Sequence, residues 1–119
     1  MFSSKITGMG FHVPDRIIHN DDLVEMMDTS DEWIQTRSGI KERRWASEDI
    51  STFDLAIEAS LNAISRADIK QDEIDMIIVG TLSSDYFFPG VSAQLQDKLG
   101  LKTIAAIDIK PSSSAINYS

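Results

Sequence analysis

The sequence predicts an α/β fold with a mostly parallel sheet, on two observations. Helix-periodic and strand-like segments alternate along the chain. Two of the strand-like runs, Met76–Gly80 and Thr103–Ile109, are short, rich in β-branched residues and without polar alternation, the pattern of strands covered on both faces. Alternating elements of this kind form a sheet with helices packed on it.

From the N-terminus, Ile6 to Val13 is punctuated by Gly8, Gly10 and then Pro14, which suits a short strand leaving into a loop. Asn20 precedes Asp21, Asp22 and the spaced apolar residues Leu23, Met26 and Met27, an N-capped amphipathic helix with its acids at the positive end of the dipole. Thr29-Ser30-Asp31-Glu32 reads as a capping box, Thr29 to Glu32, opening a second short helix through about Thr36. Gly39 is placed to end it, and Ile40 to Trp45 mixes charged and apolar residues like an exposed strand or hairpin arm. Ser51 caps the longest helical pattern, with Phe53, Ile57, Leu61 and Ile64 as its apolar stripe and Asp54, Glu58 and Asn62 toward water. Pro89 opens a further helix with Val91, Leu95 and Leu99 inward and Gly100 at its end. After the last strand, Pro111-Ser112-Ser113-Ser114 turns into the start of another helix.

A chain of 119 residues with 42% hydrophobic content can bury one core, so one domain or part of one is expected. The net charge of −8 argues against nucleic acid, whose phosphates call for a basic stripe. Without cysteine there is no disulfide, thiolate metal site or thiol nucleophile, and no metal site is expected. No apolar run approaches the roughly 20 residues that span a bilayer, so no membrane partner is expected and a cytoplasmic location is the default.

Two constellations could carry chemistry. Trp33, Arg37, Lys41, Arg43 and Arg44 gather cationic and indole groups in an otherwise acidic chain, with Trp33 and Arg37 one helical turn apart. An indole beside a guanidinium can hold a purine, while neighbouring cations neutralise phosphates. A core Trp33 with a solvated basic strand is the alternative. The second is the serine run, where a helix N-terminus offers a nucleophile its dipole and backbone N–H groups, against a plain helix cap. His12 and His19 read as surface or packing residues. The Asp85-Tyr86-Phe87-Phe88-Pro89 loop reads either as a partner surface or as packing beneath the next helix.

The run from Asp28 to Arg43, Asp-Thr-Ser-Asp-Glu-Trp-Ile-Gln-Thr-Arg-Ser-Gly-Ile-Lys-Glu-Arg, resembles a signature segment of β-ketoacyl-acyl-carrier-protein synthase III, the initiating condensing enzyme of bacterial fatty-acid synthesis. The resemblance extends through Ile6-Thr7-Gly8-Met9-Gly10, Val13-Pro14, Phe88-Pro89, Gln94 to Gly100 and Asp108-Ile109. It implies that residues 1–119 are an incomplete N-terminal thiolase-like domain, the N-terminal half of that fold, with a mixed, mostly parallel sheet covered by helices. It further implies that Trp33 and Arg37, with Thr29 close by, hold the adenine end of coenzyme A. Phe88 then reaches across a homodimer interface to border the partner's acyl pocket. Ser113 falls where the family has its catalytic cysteine, in Asp108-Ile109-Lys110-Pro111-Ser112-Ser113-Ser114.

That substitution matters chemically. A cysteine, at a reference pKa of about 8.5, ionises when a helix N-terminus lowers it, whereas a serine hydroxyl needs a neighbouring base. The family's histidine and asparagine fall beyond residue 119, so the chain alone is expected to be inactive in condensation. Relatives in natural-product pathways use serine for acyl transfer, which keeps an acyl-serine open. The resemblance implies acyl-coenzyme A and acyl carrier protein as partners, no cofactor beyond the coenzyme A thioester as substrate, and a homodimer or pairing with a C-terminal fragment. A non-catalytic subunit or relic of a split gene, which pairs with another polypeptide, is the competing reading.

Overall fold

The computed structural model describes residues 3–110 and 112–118, and of Ser113 and Ile116 the backbone alone. The chain forms two compact units, Met1–His12 with Ile50–Ser119, and Val13–Asp49.

The first unit is organised by its longest helix, α3 (Thr52–Ala67). Ser51 starts it as the sequence suggests: its hydroxyl accepts from the Asp54 N–H at 3.1 Å, and Asp54 accepts from the Ser51 N–H at 2.9 Å. A second carboxylate reaches the same end from a distant loop, Asp85 accepting from the N–H groups of Thr52 and Phe53 at 3.2 and 3.3 Å. The core is Ile57 with Val91, Leu95 and Leu99, ringed by Phe53, Ala56, Ile64, Ile77, Val79 and Leu101. Leu61 departs from its expected place and is exposed. Each i+4 step turns about 40° around a helix, so two steps from Phe53 carry Leu61 off the stripe while Ile64 returns to it.

Strand β3 (Met76–Gly80) and strand β4 (Ala105–Ile109) pair in parallel, Met76 opposite Ala105 and Gly80 opposite Ile109. Helix α4 (Val91–Lys98) connects them and buries Val91 and Leu95. The expectation of strands covered on both faces fails here. Ile77 and Val79 pack on the core, whereas Met76, Ile78 and Ile107 are exposed, so among the described residues the sheet is covered on one face. An apolar run records the absence of polar side chains, and not how many layers lie over them.

The segment expected as a first strand, Ile6 to Val13, has no strand beside it and lies along α3 instead. Arg66 donates to the Met9 carbonyl at 3.0 Å and Asn62 to the Phe11 carbonyl at 3.4 Å. Gly8 and Gly10 permit this approach. A Cβ on Gly10 would lie 2.3 Å from the Ala59 carbonyl oxygen and 2.4 Å from the Ala63 nitrogen.

The second unit is an antiparallel pair, β1 (Arg16–His19) and β2 (Glu42–Trp45), with Arg16 opposite Trp45 and His19 opposite Glu42. Helix α1 (Asn20–Val24) follows β1 directly and is shorter than its sequence pattern. Its cap is His19, whose N–H donates to Asp22 at 2.7 Å, and Met26 and Met27 fall beyond its end, exposed. Helix α2 (Asp31–Ser38) ends at Gly39, which takes φ 72 as the C-cap. After β4, one 3-10 turn over Ser112–Ser114 leads into α5 (Ala115–Tyr118).

Candidate functional site

Each unit carries one candidate site. In the second unit, α2 carries Trp33 and Arg37. The cap of this helix is Ser30, one residue later than the expected Thr29: Ser30 is extended at φ −147, ψ 158, and its hydroxyl accepts from the Trp33 N–H at 3.1 Å. Since Trp33 occupies the third helical position, no reciprocal Thr29–Glu32 box forms. Thr29 is thereby released from capping and lines an open depression of about 400 Å³ with Asp28, Ser30 and Trp33. A neighbouring depression of about 350 Å³ is lined by Ser30, Glu32, Trp33, Thr36 and Arg37. The indole of Trp33 borders both. It is 59% exposed, which excludes the alternative of a core tryptophan. The Arg37 guanidinium carbon lies 5.9 Å from its ring centroid.

Thr29 and Arg37 each share a depression with Trp33, whereas two of the basic residues grouped with them are engaged elsewhere. Arg43 donates to the Ile18 carbonyl at 3.3 Å and to Asn20 Oδ1 at 2.6 Å. Arg44 donates to the carbonyls of Pro14 and Asp15 at 3.3 and 3.0 Å. Both therefore bond to the scaffold of this unit.

In the first unit, the serine turn follows the C-terminal end of β4, the end of a parallel sheet at which α/β proteins bind ligands. The end of β3 abuts the start of α5, since a Cβ on Gly80 would lie 2.6 Å from that of Ala115. Ser112 adopts φ 56, a left-handed conformation uncommon outside glycine and asparagine. The side chain of Ser113 lies outside the described residues, so the nucleophile expectation carries no geometry beyond its place in this turn. The aromatic loop faces outward, Phe87 93% and Phe88 87% exposed, with Lys110 Nζ 5.0 Å from the Phe87 ring centroid. Packing beneath α4 is thereby excluded for both rings, and the partner-surface alternative survives.

His12 and His19 are exposed, His19 Nδ1 lying 3.9 Å from Glu42. Among the described residues no cluster of acidic or histidine side chains could hold a metal ion, and no helix is long and apolar enough to cross a membrane.

Sequence reasoning missed two polar residues. Asn20, expected as a helix cap, is 2% exposed and bonded on all sides. Asp108 accepts from the Ser92 N–H at 3.2 Å and from the Ser92 hydroxyl, anchoring β4 to the start of α4, and its carboxylate occupies the space a Gly90 side chain would need. The available signal for Asp108 was a lone carboxylate inside an apolar strand run, which demands a donor.

No family model matches the chain. It is 48% identical over 118 residues to the β-ketoacyl-[acyl-carrier-protein] synthase III of Fusobacterium nucleatum, covering 99% of this chain and 36% of that protein. It is 44% identical over 119 residues to the enzyme of the same name from Campylobacter jejuni, covering 99% of this chain and 37% of the relative. Among solved structures, the 3-oxoacyl-[acyl-carrier-protein] synthase III of Aquifex aeolicus superposes with a TM-score of 0.91 at 39% identity, over 98% of this chain and 37% of its own. The priming β-ketosynthase of the R1128 polyketide pathway superposes with a TM-score of 0.90 at 27% identity, over 96% of this chain and 34% of its own. The chain thus spans about a third of the length of the relatives it matches.

Proposed function

Since the chain belongs to the β-ketoacyl-[acyl-carrier-protein] synthase III family as its N-terminal part, we propose that it is the coenzyme A-gripping, nucleophile-bearing portion of an acyltransferase that starts fatty-acid synthesis. The observation that carries this reading is the exposed Trp33–Arg37 pair bordering open depressions on α2. A flat indole face and a fixed guanidinium fork suit an adenine ring and the phosphates attached to it.

In the proposed reaction an acyl-coenzyme A primer acylates Ser113. The thioester C–S bond breaks, an ester C–O bond forms, and the hydroxyl proton leaves with the coenzyme A thiol. Malonyl-acyl carrier protein then loses carbon dioxide, and the resulting carbanion attacks the acyl ester: a C–C bond forms, the ester C–O bond breaks, and the serine oxygen takes up a proton from solvent as the 3-oxoacyl product leaves. The serine needs a base, which falls to a residue outside this chain or to a pairing C-terminal fragment. The chain alone is expected to show no condensing activity, and detection of 3-oxoacyl product from it would overturn that. Phe88 is proposed to face a second copy in a homodimer, and the location to be cytoplasmic.

The test is calorimetric titration of coenzyme A into the chain. Trp33→Ala and Arg37→Ala are each expected to weaken binding roughly tenfold, the scale of one lost base-stacking or charge-assisted contact. Equal affinity of both variants and the unaltered chain would refute the assignment of the pair. Intact-mass measurement after incubation with acetyl-coenzyme A checks for acylation of Ser113.

A further inference from the structure

We propose that Asn20 is a positioning residue for the α2 surface, the group that sets where Trp33 and Arg37 stand; the ligand in question rests on the reading above. Asn20 is 2% exposed, and buried amides of this kind are costly unless fully bonded. Its Nδ2 donates to Asp31 Oδ1 at 2.7 Å and to the Ile40 carbonyl at 2.8 Å, and its Oδ1 accepts from Arg43 Nη2 at 2.6 Å. Those three partners belong to the first turn of α2, the chain just past its C-cap, and β2. One side chain therefore ties both ends of α2 to the β1–β2 pair.

The tie continues along the helix. Asp31 also accepts from Gln35 Nε2 at 2.8 and 2.7 Å, one turn further on. Arg43 completes the ring by donating to the Ile18 carbonyl of β1 at 3.3 Å. Asp31 and Gln35 thus bond on the inner side of the helix, and Trp33 and Arg37, two residues on from each, fall to the other side. Packing is a weak anchor here, because α2 contains no buried residue and its Ile34 is only partly covered. A helix with so little apolar anchoring is oriented largely by its polar bonds, and here those converge on Asn20. Satisfied polar networks fix a unique geometry in this way.

Three variants of the chain test the proposal. Asn20→Asp keeps the acceptor for Arg43 and sets a carboxylate against Asp31. It is expected to weaken coenzyme A binding about tenfold, to shift the Trp33 indole N–H resonance and to speed hydrogen exchange in α2. Adding Asp31→Asn restores a donor–acceptor pair of reversed polarity and is expected to recover most of each change. In a Trp33→Ala, Arg37→Ala background, Asn20→Asp should cost no further affinity, since both groups it places are gone. Unchanged indole resonance and α2 exchange in Asn20→Asp, or a further loss of affinity in the Trp33→Ala, Arg37→Ala background, would overturn the proposal. If the unaltered chain fails to bind coenzyme A, the ligand assignment fails, and the resonance and exchange measurements still decide the role of Asn20.

Discussion

Removing the Asp108 carboxylate is expected to destabilise the chain more than removing the serine hydroxyl it binds. The N-cap of α4 is Gly90, which supplies no side-chain cap, so the Ser92 N–H in the first turn depends on a carboxylate from β4. Ser92 is 1% exposed, and in Asp108→Ala both its hydroxyl and its N–H lose their acceptor in the interior. An unpaired buried donor costs about 1–3 kcal/mol and a lost cap about 1 kcal/mol, so the expected loss is roughly 2–4 kcal/mol. Ser92→Ala leaves Asp108 its bond to the backbone N–H, and the carboxylate, exposed on its outer side, takes water in place of the hydroxyl; about 1 kcal/mol is expected. Urea denaturation reads both as midpoint shifts at constant slope. Equal losses, or a larger loss for Ser92→Ala, would refute the argument that Asp108 acts as a remote cap.

Gly10→Ala should cost about 1–3 kcal/mol by the same assay, because the added methyl meets helix backbone at 2.3 and 2.4 Å, and backbone cannot rotate aside. Acid stability follows from two carboxyls. Asp54 is held below its ordinary 3.8 by the Ser51 hydroxyl and N–H, with Lys98 assisting against desolvation. Asp31 is lowered by Gln35 and Asn20, with Lys41 adding to them. Because folding depresses both values, their contribution is complete above about pH 3.8 and is lost as pH falls through the folded values. Asp54→Asn should therefore flatten the low-pH decline in melting temperature while leaving the decline from Asp31 in place.

Helices with a cap and a stripe were legible because both signals are local: Ser51 as the N-cap of α3, and Gly39 as the C-cap of α2, stand where the sequence puts them, whereas Asp54, expected to face water, turns back to Ser51. Trp33 and Arg37 were legible as a pair because helical spacing alone makes them neighbours. What escaped depended on residues distant in sequence. Asp108 and Ser92 meet only once β4 lies beside α4, and Arg43 is taken up by Asn20 only once β1 and β2 pair. The Gly8–Gly10 segment looked like a strand because glycine punctuation marks close backbone approach without saying whether the neighbour is a strand or a helix. Choosing Thr29 over Ser30 as the cap was a one-residue slip between two adjacent hydroxyls, decided by the backbone angles of Ser30.

The paired strands β1 and β2 give the Val13–Asp49 unit a closed neck, with Arg16 opposite Trp45 where the chain enters and leaves. The polar bonds that run from Asp31 through Asn20 to Arg43 are made inside its boundaries. A segment built like this is a cassette. Mutation can reshape the indole–guanidinium face without altering the Ile57–Val91–Leu95–Leu99 core, so that surface and the core are free to vary on separate schedules.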